Sequence, residues 1–322
     1  MGENLVPVTG YQLPADGLTP AQRLYQAWLG GRSVQTRRAY EGDLKQFAAF
    51  CRAESPETAL RLFLALDAGA ANHVALQWRS AMLEAKLSPA TINRRLAALR
   101  SLAKLGRTLG MIAWGVEIGN VSSQAYLDTA GPGEEAFRRM LAKLGERTDT
   151  KGVRDYTMVR VLYDLGLRRS ELCRLNVGDL DLERRKLMVL GKGRREPKPL
   201  SVPPRTVDII KAWLQRCASI GLATAPSSPL FVSINRHGGP GARLTGDGLY
   251  RVVRDLGLAV GIKTRTHALR HQSITDVLTL TNGNIIQARD FARHRSAETT
   301  LRYNDNREDH AGDLARRLSE RF

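Results

Sequence analysis

The sequence predicts a mainly α-helical protein of two domains, an all-helical N-terminal one and a mostly helical C-terminal one carrying a small β-hairpin. Three observations carry that expectation. Apolar residues recur at three- and four-residue intervals in both halves of the chain, the period of one helix face. One stretch, Lys186 to Val202, alternates instead, around a basic Gly-rich turn. Between the halves lies a run rich in Ser, Gly and Pro. A length of 322 residues accommodates two domains, at roughly 100–200 residues each. Hydrophobic residues make up 43%, enough for two cores.

Residues 1–17 read as a flexible leader. They contain Pro and Gly and no long apolar run, so they do not form a signal peptide. Residues 18–118 read as a small all-helical domain. Tyr40, Leu44, Phe47 and Cys51 share one helix face. A second helix opens with Ser88 as its cap and Pro89 in its first turn, and its stripe is Ile92, Leu96, Leu99 and Ala103. Arg94, Arg95, Arg100, Lys104 and Arg107 fall largely off that stripe, and Arg37, Arg38 and Lys45 decorate the earlier helix. A solvated face explains any one of these charges. The set has few acidic residues within 88–110 to balance it, which favours a polyanion as partner.

Residues 119–133 read as a linker and 134–322 as the second domain. Glu134 and Glu135 suit the positive end of a new helix, with Phe137, Met140, Leu141 and Leu144 on its buried side. In the hairpin, Leu187 and Val189 alternate with Lys186 and Met188. Gly191-Lys192-Gly193-Arg194-Arg195 then turns the chain, and Pro197 to Val202 returns. Leu230 to Ile234 reads as another short strand. Helices are expected at 204–220, with stripe Val207, Ile210, Leu214 and Cys217, and at 246–260. Leu314, Leu318 and Phe322 mark an amphipathic last helix.

Composition narrows the function class. Lys and Arg total 49 against 32 Asp and Glu, a net charge of +17 and a pI near 10.3. Such a chain meets a polyanion, and nucleic acid is the first candidate. Cys51, Cys173 and Cys217 are too widely spaced for a disulfide framework or a zinc site. They read as buried free thiols in a reducing compartment. No stretch approaches the ~18 apolar residues of a membrane span. The expected location is the cytoplasm, on the nucleoid when bound to DNA.

Four short motifs supply one chemistry. They are Gly166-Leu167-Arg168-Arg169-Ser170-Glu171-Leu172, Gly191-Lys192-Gly193, His267-Ala268-Leu269-Arg270, and His294 with Tyr303 nine residues on. Breaking a phosphodiester requires its non-bridging oxygens to be neutralised, which the planar arginine fork does best. Arg168 precedes a short helix at 170–175, and Arg270 shares a helix face with His267. A tyrosine phenol holds a covalent phosphate, and Tyr303 lies in a short helix capped by Ser296. Lys192 is placed to protonate a leaving oxygen and His267 to take or relay the phenol proton. Gly191-Lys192-Gly193 lacks P-loop spacing, so ATP is not indicated. His271, beside Arg270, reads as a bystander. Each piece alone is weak, and the ordered set carries the inference.

With these motifs the chain resembles the tyrosine recombinase, or phage integrase, family over nearly its whole length. Thr36-Arg37-Arg38-Ala39-Tyr40 and Ser88 to Leu96 resemble that family's core-binding domain. The resemblance implies a two-domain clamp around double-stranded DNA. It implies a site-specific recombinase with a 3′-phosphotyrosine intermediate on Tyr303, strand exchange within a homotetramer holding two sites, and no cofactor or metal. Arg168, Lys192, His267, Arg270, His294 and Tyr303 would be catalytic, with Glu171 in support and the last helix packing on a neighbouring protomer. The family often has Thr before Gly-Leu-Arg and Leu-Gly before the last His, where this chain has Leu165 and Ala292-Arg293. Two other readings remain: a DNA-relaxing enzyme like the type IB topoisomerases, and a non-catalytic DNA-binding protein on the same fold.

Overall fold

A computed structural model describes residues 17–122, 131–191, 193–194, 196–234, 241–304 and 310–321. The chain divides into two compact units, Met1–Ala125 and Tyr126–Phe322.

The first unit is built of α1 (Pro20–Leu29), α2 (Val34–Phe50), α3 (Pro56–Leu64), α4 (Ala68–Glu84) and α5 (Pro89–Thr108). Each opens on a side-chain oxygen that accepts a main-chain N–H of the first turn. The caps are Thr19, Ser33, Ser55, Asp67 and Ser88. Such caps satisfy amides that have no partner within the helix. Proline stands in the first turn of α1, α3 and α5, where its missing N–H costs nothing. The whole expected stripe of α5 is buried, packed with Phe47, Phe63 and Trp78. Leu44 and Phe47 of α2 are buried as well.

The second unit begins with α6 (Glu134–Gly145), α7 (Thr150–Asp164) and α8 (Arg169–Arg174). A 3₁₀ turn at Val177–Asp179 leads into β1 (Leu180–Asp181), β2 (Lys186–Val189) and β3 (Lys198–Ser201). These strands form one antiparallel sheet in the order β1-β2-β3, with Leu187 opposite Leu200. Leu187 and Val189 are buried, as the alternation predicted. The sequence did not signal β1, whose two residues are too few to show a period. Next come α9 (Pro204–Ser219), α10 (Gly246–Ala259), α11 (Thr266–Leu280), α12 (Ile285–Ala292), α13 (Ala297–Asn304) and α14 (His310–Ser319).

Residues 230–234 do not form the expected strand. Their pairing is by isolated bridges, Asn176 with Pro229 just before them and Val232 with Arg243 within them. Carbonyls that a ladder would use go to side chains. The Trp213 indole donates to Leu230 O at 2.7 Å, and the buried Arg154 donates to Val232 O at 3.0 Å. Leu230, Phe231 and Val232 still enter the main core with Met158, Leu162 and Trp213. A smaller cluster, Ile274, Leu278, Ala288, Ala292 and Tyr303, joins α11, α12 and α13. It fixes the last motif against the third. Cys173 and Cys217 are buried and Cys51 half-buried, all as free thiols.

Candidate active site

Gly166 ends the turn after α7 with φ +53°, where a Cβ would come within 2.7 Å of the Phe291 ring. That turn delivers Arg168 to the start of α8. Its main-chain N–H donates to Glu171 Oε2 at 2.9 Å, and its guanidinium donates to Oε1 at 2.7 Å. The Glu171 side chain is 1% exposed and that of Arg168 27%, so the carboxylate is the anchor and the guanidinium the open end. Burial alone would raise the Glu171 carboxyl. The Arg168 amide, Arg293 and the Arg168 guanidinium outweigh it and hold the group below its ordinary value.

Helix α11 carries His267, Arg270 and His271 at i, i+3 and i+4, so they share a face. Arg270 is almost fully buried. Its guanidinium donates to the carbonyls of Gly166 and Ala292, which belong to two different segments. Helix α12 ends on Arg293 in the left-handed conformation, φ 56°. His294 follows, and its Nδ1 pairs with Thr300 Oγ1 at 2.9 Å. The Ser296 hydroxyl accepts from Glu298 N at 3.2 Å, as the cap assignment predicted. Tyr303 on α13 is buried, its ring centre 4.9 Å from that of His271 and 5.8 Å from that of His294.

The structure therefore brings Arg168, Glu171, His267, Arg270, His294 and Tyr303 together. Two further residues join them that sequence reasoning passed over. His271 stands between His267, 4.3 Å away, and Tyr303. Its spacing of four from His267 was the available signal. Arg293 reaches Glu171 Oε2 at 3.0 Å; its place where the family often has Gly before the last His was the available signal. Lys192 and Arg195 lie outside the described residues.

The cations perturb one another. Burial pulls Arg270 down to about 10, and Arg168 and Arg293 add to the effect. Burial raises the Tyr303 phenol, while Arg270 and Arg168 oppose it. His267 falls to about 4 by desolvation, then through His271 and the nearby arginines. His294 falls to about 4 by desolvation, then through Arg270, Arg168 and Arg293. Both rings are thus neutral at pH 7 in the DNA-free protein.

A pH dependence follows. Unfolded histidine titrates near 6.5, so between that pH and about 4 the unfolded chain binds more protons than the folded one. Stability present above pH 6.5 is therefore lost as pH falls through about 4. Urea denaturation of the DNA-free protein across this window should show the loss, and a double His267→Gln, His294→Gln variant should show a shallower one. Equal slopes would contradict the assignment.

Among the basic residues assigned to DNA, Arg94 and Arg95 both pair with the buried Asp43, the latter at 3.7 Å. The acidic partner thus comes from α2, outside the segment where sequence spacing sought it. Arg37 pairs with Glu41 at 3.4 Å, and Arg100 donates to Asn120 Oδ1 at 2.5 Å. Arg38, Lys45 and Lys104 are exposed.

Residues 134–310 match the phage integrase family. A tyrosine recombinase of Synechococcus elongatus is 37% identical over 294 residues, 90% of this chain and 90% of the relative. A tyrosine recombinase of Synechocystis sp. is 33% identical over 293 residues, 90% of this chain and 92% of the relative. The solved structure of XerH site-specific recombinase, bound to palindromic difH substrate after cleavage, aligns with a TM-score of 0.68. It covers 93% of this chain and 85% of that one at 17% identity, a likeness of fold. Matched over more than half its length by the family and over nine-tenths by these relatives, the chain belongs to the phage integrase family of tyrosine recombinases.

Proposed function

We propose that this chain cuts and rejoins double-stranded DNA at specific sites, with Tyr303 as the nucleophile. The observation that carries the reading is the Tyr303 phenol, buried beside His271 and His294 and in the field of Arg168 and Arg270. The phenolic oxygen attacks the scissile phosphorus, and the bond from phosphorus to the 5′-oxygen breaks. A 3′-phosphotyrosine and a free 5′-hydroxyl result, and reversal by another 5′-hydroxyl rejoins the strand. Arg168 and Arg270 neutralise the non-bridging oxygens as charge builds there. Neutral His267 takes the phenol proton, and Lys192 protonates the leaving 5′-oxygen. Glu171 holds Arg168, and His294 adds a donor to the phosphate.

Arg37, Arg38, Lys45, Arg94, Arg95, Arg100 and Lys104 grip the duplex backbone in this reading. A homotetramer synapses two sites, and the 62%-exposed Leu318 of α14 belongs to the surface that meets a neighbouring protomer. The protein acts in the cytoplasm, at the nucleoid. Among the described residues no helix is long and apolar enough to cross a membrane.

The test begins by selecting bound sequences from a randomised duplex pool. A nicked suicide duplex built on the selected site should then trap the protein covalently, seen as an adduct under denaturing conditions. Relaxation of a plasmid lacking that site, with no adduct at the site itself, would instead favour a topoisomerase-like activity. Binding should be salt-sensitive. With roughly 6–10 phosphates neutralised, affinity drops about 10³–10⁵-fold between 50 and 200 mM salt. A salt-independent Kd would contradict the backbone grip.

A further inference from the structure

We infer that Arg293 is a positioning residue that ties the segment bearing His294 and Tyr303 to the segment bearing Arg168, acting through Glu171. This inference rests on the function proposed above. Its guanidinium donates to Leu165 O at 2.9 Å, Gly166 O at 3.0 Å, Phe291 O at 3.2 Å and Glu171 Oε2 at 3.0 Å. Three of those acceptors lie more than a hundred residues away in sequence: two in the turn that delivers Arg168, and one on α8 just after it. The donor stands one residue before His294.

The arrangement is costly. Arg293 adopts φ 56°, a conformation that glycine enters without penalty and other residues do not. Its Nε is buried with no hydrogen-bond partner among the described residues. Its charge is buried near Arg168. A residue serving only to end α12 would need none of this, since glycine ends helices in that conformation by itself. What the guanidinium adds is a bridge. Glu171 spends Oε1 on the Arg168 guanidinium and shares Oε2 between the Arg168 amide and Arg293. With Arg293 in place, the carboxylate that holds Arg168 is also tied to the segment bearing His294. Arg270 reinforces the same junction by donating to the Gly166 carbonyl that Arg293 also uses.

The test compares wild type, Arg293→Gly, Arg293→Lys, Glu171→Gln and the Arg293→Gly, Glu171→Gln double variant. The probe is the nicked suicide duplex carrying the selected site. Kd is read by fluorescence anisotropy and the rate of adduct formation in a single turnover. Arg293→Gly should bind DNA as wild type does and cleave roughly tenfold to 10²-fold more slowly, the scale of a misplaced reacting group. Arg293→Lys keeps the charge without the fork and should recover only part of the rate. The double variant should be no slower than the slower single, because both act on Arg168 by one route. A wild-type rate in Arg293→Gly overturns the inference, as do equal losses of rate and affinity or additive losses in the double variant. Should Arg293→Gly lose its native thermal transition, Arg293→Lys decides, and a full wild-type rate in it overturns the inference. Absence of any adduct with the wild type overturns the nucleophile assignment itself, and this inference falls with it. An adduct with the wild type keeps the two failures apart.

Discussion

Tyr303→Phe should bind the selected DNA site as tightly as the wild type and form no covalent adduct. The ring of Tyr303 packs in the cluster of Ile274, Leu278, Ala288 and Ala292, and phenylalanine fills that space without its hydroxyl. Fold and DNA grip are therefore retained, and only the attacking atom is lost. Removing a covalent nucleophile costs on the order of 10⁶-fold in rate, so the adduct should vanish from view. The environment explains why the phenol is harmless until DNA arrives. Burial raises it above its ordinary range, so it stays protonated at neutral pH. Attack therefore waits on removal of the proton as the phosphate enters, the role proposed for His267. An adduct formed by Tyr303→Phe at the wild-type rate would mean another side chain attacks, and the proposed mechanism would be withdrawn.

Much of this site was legible because its parts sit on local signals. Ser88 with Pro89, and Ser296, are caps whose chemistry is readable within four residues. The spacing of three between His267 and Arg270 puts both on one helix face wherever that helix packs. Alternation around Gly191 and Gly193 marked the hairpin for the same reason. What stayed hidden depends on contacts distant in sequence. Asp43 is an ordinary acidic residue of α2 until folding buries it against Arg94 and Arg95. There burial raises its carboxyl, more than the two arginines offset. Residues 230–234 have strand composition, yet Trp213 and Arg154 take the carbonyls a ladder would need. His271 looked redundant beside Arg270 because only packing of α13 on α11 brings Tyr303 to it. Arg293 stood out only as a departure from the Leu-Gly usual before the last His, with nothing local to say what it touches. Its meaning lies in the turn around Gly166, more than a hundred residues earlier.

Arg270→Lys should lose about 10²–10³-fold in cleavage rate, near 3–4 kcal/mol of transition-state stabilisation, while losing far less in DNA affinity. The side chain is 1% exposed and its guanidinium bridges the carbonyls of Gly166 and Ala292, so it is oriented before DNA binds. It remains a cation at pH 7, because burial and its cationic neighbours bring it down only to about 10. Lysine keeps that charge, and a charge-only contribution would survive the exchange. The planar fork would not, because the ammonium's three donors radiate from one nitrogen and cannot span the two carbonyls and a phosphate as the spread guanidinium does. Arg270→Ala is the less informative variant. It takes its donor from the Ala292 carbonyl, at about 1–3 kcal/mol, and leaves Gly166 O to Arg293 alone, so instability would mix with lost chemistry. The decisive comparison sets the single-turnover rate against Kd for the lysine variant. Stabilisation that grows as charge develops lowers the rate and spares binding. Equal losses in both would make Arg270 a simple phosphate anchor and move the work of charge stabilisation to Arg168.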